Sequence, residues 1–287
     1  MGTPNQGKTL RVACLQLCPS GDLAENAESA LALAREAVGA GAQLLLLPEY
    51  AAVLHGSGRV MRETARPEED HPLLTGMRAL ARESGVWILI GSLTIPVEDG
   101  RIANRSVLIS GDGELVARYD KIHMFDATLP SGRSIRESSL YQPGNQAVVA
   151  GTPWGGLGLS ICYDVRFPYL YRALAGAGAV FMAVPSAFTA STGPLHWEAL
   201  LRARAIENSC FVFAPATCGK HPGEHATHGH SLIVDPMGRV LADGGTEPGI
   251  CYADIDPGET DRARCMLPSL AHTRSFDLLV PGGGAAL

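Results

Sequence analysis

The stretch GLGLSICYDVRFPYLYRALAGAGAVFMAVPSAF, residues 156–188, runs from one apolar segment through an amphipathic one into a second apolar segment. GLGLSICYD (156–164) has the length and character of a buried strand, PYLYRALAGAG (168–178) reads as a helix, and AVFMAVPSAF (179–188) as the next strand. Strands that are apolar throughout, rather than alternating, belong to a sheet covered on both faces. This unit predicts an α/β chain.

The same order recurs on both sides of it. LRVACLQL (10–17) predicts a strand, residues 23–39 a helix, LLLLPE (44–49) a strand, 72–84 a helix, and VWILIGSL (86–93) a strand. NRSVLIS (104–110) and ELVARYD (114–120) flank Gly111-Asp112-Gly113, a hairpin turn. Downstream, LHWEALLRARAIEN (195–208) predicts a helix and CFVFAPAT (210–217) a strand. HSLIVD-PMG-RVLAD (230–243) predicts a hairpin closed by type I turn chemistry. Two halves of like order predict a pseudo-duplicated architecture. Two stacked sheets with helices outside would bury such strands, and so would one doubly wound sheet; the pattern leaves both open.

No stretch between the halves has the composition of a linker, which predicts one domain over 1–280, with PGGGAAL (281–287) a flexible tail. The segment 126–146 predicts a long functional loop.

Of the 287 residues, 46% are hydrophobic and 18% charged, which excludes a disordered chain. The net charge of −6, without a basic run, argues against nucleic acid as a partner. No apolar stretch approaches the ~18 residues that span a bilayer, so no membrane role is expected. The N-terminal residues lack an apolar signal core, and the seven cysteines form no Cys-x-x-Cys pair. Reduced thiols in a cytoplasmic protein are the expectation.

Three strand ends carry an ionisable group: Glu49 closes LLLLPE, Lys121 follows LVARYD and Cys162 follows GLGLSI. Ligand sites of α/β proteins gather at the carboxyl ends of strands. A cysteine at a strand-to-helix turn gains thiolate character from the helix N-terminus and a nearby cation. A lysine stabilises an oxyanion, and a glutamate takes a thiol proton and later activates water. Taken singly, a Glu or Lys at a strand end is the first solvated residue, and a cysteine after an apolar run is an inert core thiol.

LLLLPEY, YDKIHMFD, ESSLYQPGN and GLSICYDVRFP together resemble, in order and spacing, the signatures of the carbon–nitrogen hydrolase (nitrilase) superfamily, over about residues 10–275. The resemblance implies a four-layer αββα sandwich, usually a homodimer, with a Glu–Lys–Cys triad. Matched by motif, Glu49 is the general base, Lys121 the oxyanion stabiliser and Cys162 the nucleophile, while Glu137 positions Lys121 and the substrate. It implies no metal or organic cofactor, and a thioester intermediate on Cys162.

Cys162-Tyr163-Asp164, in place of the Cys-Trp-Glu common in true nitrilases, resembles the amidase-like members. GPLHWEALLRARAIE (193–207) resembles the Nit-type branch that acts on deaminated glutathione. The expected activity is hydrolysis of a terminal carboxamide of a small carboxylate-bearing substrate to acid and ammonia. An ω-amidase, an N-carbamoyl amidohydrolase and a non-catalytic binding protein on the same fold are the alternatives. One departure is Tyr169, where the family usually has Glu; the following helix loses an acid in its first turn.

Four residues are expected to bind substrate. Arg166, four residues after Cys162, suits a carboxylate; Tyr163, Ser186 and Phe188 are expected to line the pocket, the latter two closing AVFMAVPSAF. HPGEHATHGH (221–230) holds four histidines in no trusted zinc spacing, and a polar loop is expected there. Glu198 and Arg202 form an i,i+4 helix pair.

Overall fold

A computed structural model describes residues 9–128, 132, 134–223 and 225–279. The first half runs β1 (Leu10–Gln16), α1 (Leu23–Gly39), β2 (Leu44–Leu46), α2 (Gly58–Thr64), α3 (Pro72–Ser84), β3 (Trp87–Pro96), β4 (Ile102–Ile109) and β5 (Leu115–Asp120). A small hairpin of β6 (Asp126–Thr128) and β7 (Ser134–Arg136) follows. The second half comprises β8 (Val149–Thr152), β9 (Gly155–Leu159), α4 (Pro168–Gly176), β10 (Ala179–Ala183), α5 (Gly193–Asn208) and β11 (Phe211–Ala214). Then come β12 (Cys218–His221), β13 (His225–His228), β14 (Leu232–Val234), β15 (Val240–Asp243), β16 (Gly249–Ile255) and α6 (Glu259–Met266).

The strands form two six-stranded mixed sheets, ordered β16-β1-β2-β3-β4-β5 and β15-β14-β11-β10-β9-β8. Each has three central parallel strands, β1-β2-β3 in one and β9-β10-β11 in the other, flanked by antiparallel partners. Side chains alternate faces along a strand, and here both faces are buried. Leu10, Val12 and Cys14 of β1 pack with Leu157, Leu159, Phe181, Phe211 and Phe213 of the other sheet. The intervening Ala13 and Leu15 pack against α1 and α3. On the far side, Met182, Val184 and Val212 meet α4 and α5. The layers are therefore α, β, β, α. Doubly buried faces explain the apolar strands, and strand pairing settles the choice between one sheet and two.

The helices 23–39 and 72–84 fall where the sequence predicts them. The Asp22 carboxylate caps α1 by accepting from the N–H groups of Ala24 and Glu25, and Gly85, at φ 74°, ends α3 in the left-handed region. LLLLPE is strand only over Leu44–Leu46, so Glu49 stands on the turn beyond it. Segment 126–146, expected as a loop, carries the β6–β7 hairpin. HPGEHATHGH is likewise not merely a loop: β12 and β13 pair from Cys218↔His228 to His221↔His225. Glu198 and Arg202 do pair, at 3.1 Å on the surface. The tail 281–287 lies outside the described residues.

Candidate active site

Glu49, Lys121, Glu137 and Cys162 line one cavity of about 300 Å³. Lys121, directly after β5, is buried, and its Nζ donates to Glu49 Oε1 at 3.0 Å and to both oxygens of Glu137 at 2.9 Å. Asn104 of β4 donates from Nδ2 to Glu49 Oε1 at 2.9 Å, and its main-chain carbonyl accepts the main-chain N–H of Lys121 at 3.0 Å. The Tyr50 hydroxyl donates to Glu137 at 3.0 Å. The second oxygen of Glu49 accepts the backbone N–H of Ala187 at 2.8 Å. The first sheet thus supplies Glu49 and Lys121, and the second fixes the Glu49 carboxylate.

Three local features set these side chains. Tyr50 is left-handed, at φ 56°, and its N–H donates to Ser92 Oγ at 2.8 Å, which turns the chain out of the β2 exit just after Glu49. Gly91 has no room for a Cβ, which would collide with the Leu47 carbonyl oxygen and with Pro185. Cys162 is also left-handed, at φ 47°, a costly conformation for a non-glycine residue. Its N–H donates to the Pro185 carbonyl at 2.9 Å. The buried Asp164 carboxylate holds the turn by accepting from Ile161 N at 2.8 Å, Tyr119 Oη at 2.6 Å and His123 N at 3.1 Å.

The electrostatics correct one expectation. Cys162 opens a 3₁₀ turn of five residues, Cys162–Arg166, and the α-helix begins only at Pro168. No helix N-terminus therefore favours a thiolate. Burial, and then the Glu49 charge, push the Cys162 thiol well above its ordinary range, with Lys121 opposing them. Burial and the neighbouring Glu49 thus favour the neutral form of Cys162. Burial disfavours the Lys121 charge, but Glu137 and Glu49 outweigh it and hold the ammonium pKa well above the usual lysine value.

Of the expected binding residues, Tyr163, Arg166 and Phe188 line the cavity and Ser186 does not. Ser186 is fully buried; its hydroxyl donates to the Val184 carbonyl at 3.0 Å, because the strand turns that side chain inward. Ala187, Thr189 and Thr192 take the wall instead. Tyr169 does not leave its turn unsupported: its hydroxyl lies 2.6 Å from Nε2 of His123, whose Nδ1 is 2.6 Å from Asp164. Asn104, Tyr50 and Asp164 carry this geometry without having been singled out in the sequence. The signals were faint: Tyr50 adjoins Glu49, Asp164 lies two residues past Cys162, and Asn104 is one of three successive polar residues in β4. Among the described residues no group of three or more His, Cys, Asp or Glu side chains is arranged to hold a metal ion.

Residues 11–264 match the family model for carbon-nitrogen hydrolases. The chain belongs to the carbon–nitrogen hydrolase family. This carbon–nitrogen hydrolase is 42% identical over 273 residues to the deaminated glutathione amidase of Synechocystis sp., covering 92% of the chain and 98% of the relative. Its fold superposes on the NitFhit protein of C. elegans with a TM-score of 0.88 at 34% identity, over 95% of this chain and 66% of that one. An amidase from Nesterenkonia sp. AN1, solved with acrylamide added at its active-site cysteine, is also similar, with a TM-score of 0.75 and 28% identity over 90% of this chain and 98% of that one. As a carbon–nitrogen hydrolase the chain is an enzyme acting on C–N bonds other than peptide bonds.

Proposed function

We propose that this carbon–nitrogen hydrolase is a thiol amidase in which Cys162 is the nucleophile, Glu49 the base, Lys121 the oxyanion stabiliser and Glu137 the group that positions Lys121. The observation that carries the reading is the buried Glu49–Lys121–Glu137 cluster in one cavity with Cys162. As Sγ attacks the amide carbon, its proton passes to Glu49 and the carbonyl π pair moves to oxygen. One Lys121 N–H can serve both equidistant oxygens of Glu137, leaving another for the oxyanion. Protonated Glu49 then gives its proton to the departing nitrogen as the C–N bond breaks, leaving a thioester on Cys162. Water, deprotonated by Glu49, attacks that thioester, and the sulfur regains a proton as the acid leaves.

A carboxylate-bearing amide is the favoured substrate class, because Arg166 projects its charge at the same cavity. Deaminated glutathione, the substrate that names the Synechocystis relative, is the leading candidate. A primary carboxamide would release ammonia, whereas the amide bonds of deaminated glutathione are secondary and release an amine. The deciding experiment measures both products across an amide panel, with wild type and C162A side by side. Loss of at least about 10³-fold in the variant is expected; equal turnover would overturn the mechanism.

The protein is further proposed to be a cytoplasmic homodimer. All seven cysteines are free, which suits a reducing compartment. Exposed apolar side chains on α5 and α6, Leu195, Ile206 and Met266, suit an interface between copies. Light scattering should give twice the chain mass; a monomer at micromolar concentration would refute the dimer.

A further inference from the structure

Arg166 is anchored in an unusual way. Its Nη1 and Nη2 both lie 3.3 Å from Nδ1 of His196, on the first turn of α5. Its guanidinium carbon lies 5.9 Å from the Tyr163 ring and 5.2 Å from the Phe188 ring. No carboxylate ion-pairs with it among the described residues. Arg105, by contrast, holds Asp120 at 2.7 Å and Glu68 at 2.9 Å, and Arg204 holds Glu207 at 2.7 Å.

The backbone that carries His196 is fixed. Its main-chain N–H donates to the Thr192 carbonyl at 3.0 Å, and Gly193 brings this turn so close to His228 that a Cβ there would strike the His228 imidazole. A guanidinium carries only donors, so the imidazole nitrogen facing it, here Nδ1, can meet it only as an acceptor, in the tautomer with the ring proton on Nε2. Such a contact orients the arginine without cancelling its charge. The two aromatic faces act in the same sense. A carboxylate at position 196 would grip Arg166 more strongly but would occupy and neutralise it.

We infer that His196 is a positioning residue for substrate specificity: a neutral acceptor that aims Arg166 into the cavity and keeps its charge for the carboxylate of the substrate. This rests on the proposal above that Arg166 receives a carboxylate.

The test compares kcat/KM for glutaramate with that for its uncharged analogue pentanamide, in wild type, H196D and H196N. Wild type should favour glutaramate. H196D should collapse that preference by about tenfold or more, through KM for the anion. H196N, which keeps a neutral acceptor, should retain most of it. A preference unchanged in H196D would overturn the role of His196 and leave the substrate class standing. No preference in wild type would instead overturn the carboxylate reading itself. A uniform loss on both amides would mark a merely structural residue and also refute the inference. If H196D does not fold, H196L carries the same comparison, with a smaller fall expected and an unchanged preference again decisive against it.

Discussion

Oε2 of Glu49 accepts the backbone N–H of Ala187 at 2.8 Å, and this bond joins the two sheets at the point where the chemistry is proposed. Glu49 leaves β2 in one sheet, and Ala187 leaves β10 in the other. A carboxylate fixed by a backbone donor on one oxygen and by Lys121 and Asn104 on the other has little freedom to rotate. The base proposed for this reaction would have to be aimed before the substrate arrives, and both halves of the fold hold the Glu49 carboxylate in place.

Replacing Glu49 with Gln separates basicity from packing. The amide keeps the side-chain volume but takes no proton, so kcat/KM should fall by about 10²-fold or more. The same change removes a charge that raises the Cys162 thiol, second only to burial. The pH midpoint for alkylation of Cys162 by iodoacetamide, followed by mass spectrometry, should therefore move downward in E49Q. A midpoint that rises or stays put would contradict the upward push assigned to Glu49.

Gly91 is where the β2 exit, β3 and Pro185 crowd together. In G91A the added methyl meets backbone rather than a flexible side chain, so the chain must shift. A loss of about 2–4 kcal/mol in urea unfolding is expected. Because Pro185 anchors Cys162 through its carbonyl, activity should fall beyond what the unfolded fraction accounts for. A variant of wild-type stability and activity would count against this packing.

His71 carries a pH dependence of stability. Its ring is buried, its Nδ1 has no partner among the described residues, and burial, with the charge of Arg66, lowers its pKa to about 4. The unfolded chain binds a proton at about pH 6.5. Between those values the unfolded state is protonated first, so stability is full above pH 6.5 and declines toward pH 4, by about 3 kcal/mol in all. Urea midpoints at pH 7 and 4.5 should differ less in H71Q than in wild type. Equal slopes would exclude His71 as the cause.

Periodicity and motif order were enough to place α1 over 23–39 and α3 over 72–84, the central strands, and the four residues Glu49, Lys121, Glu137 and Cys162 that share the cavity. These are local properties: an amphipathic repeat, an apolar run or a residue at a strand end is written in neighbouring positions. The apolar pattern left one sheet or two open, and the motifs' resemblance to the family implied the two stacked sheets that the strand pairing shows; only the tertiary structure decided that Ser186 faces inward and that the histidine-rich stretch pairs as β12 and β13. It also decided the surroundings of Cys162, which the local sequence placed at a helix N-terminus with thiolate character, whereas a 3₁₀ turn, burial and Glu49 push the thiol up. A thiol's protonation depends on the water excluded and the charges gathered around it, and here Glu49 and Lys121 come from strands more than forty residues away in sequence. Strand pairing and desolvation are sums over distant segments, and no stretch read alone contains them.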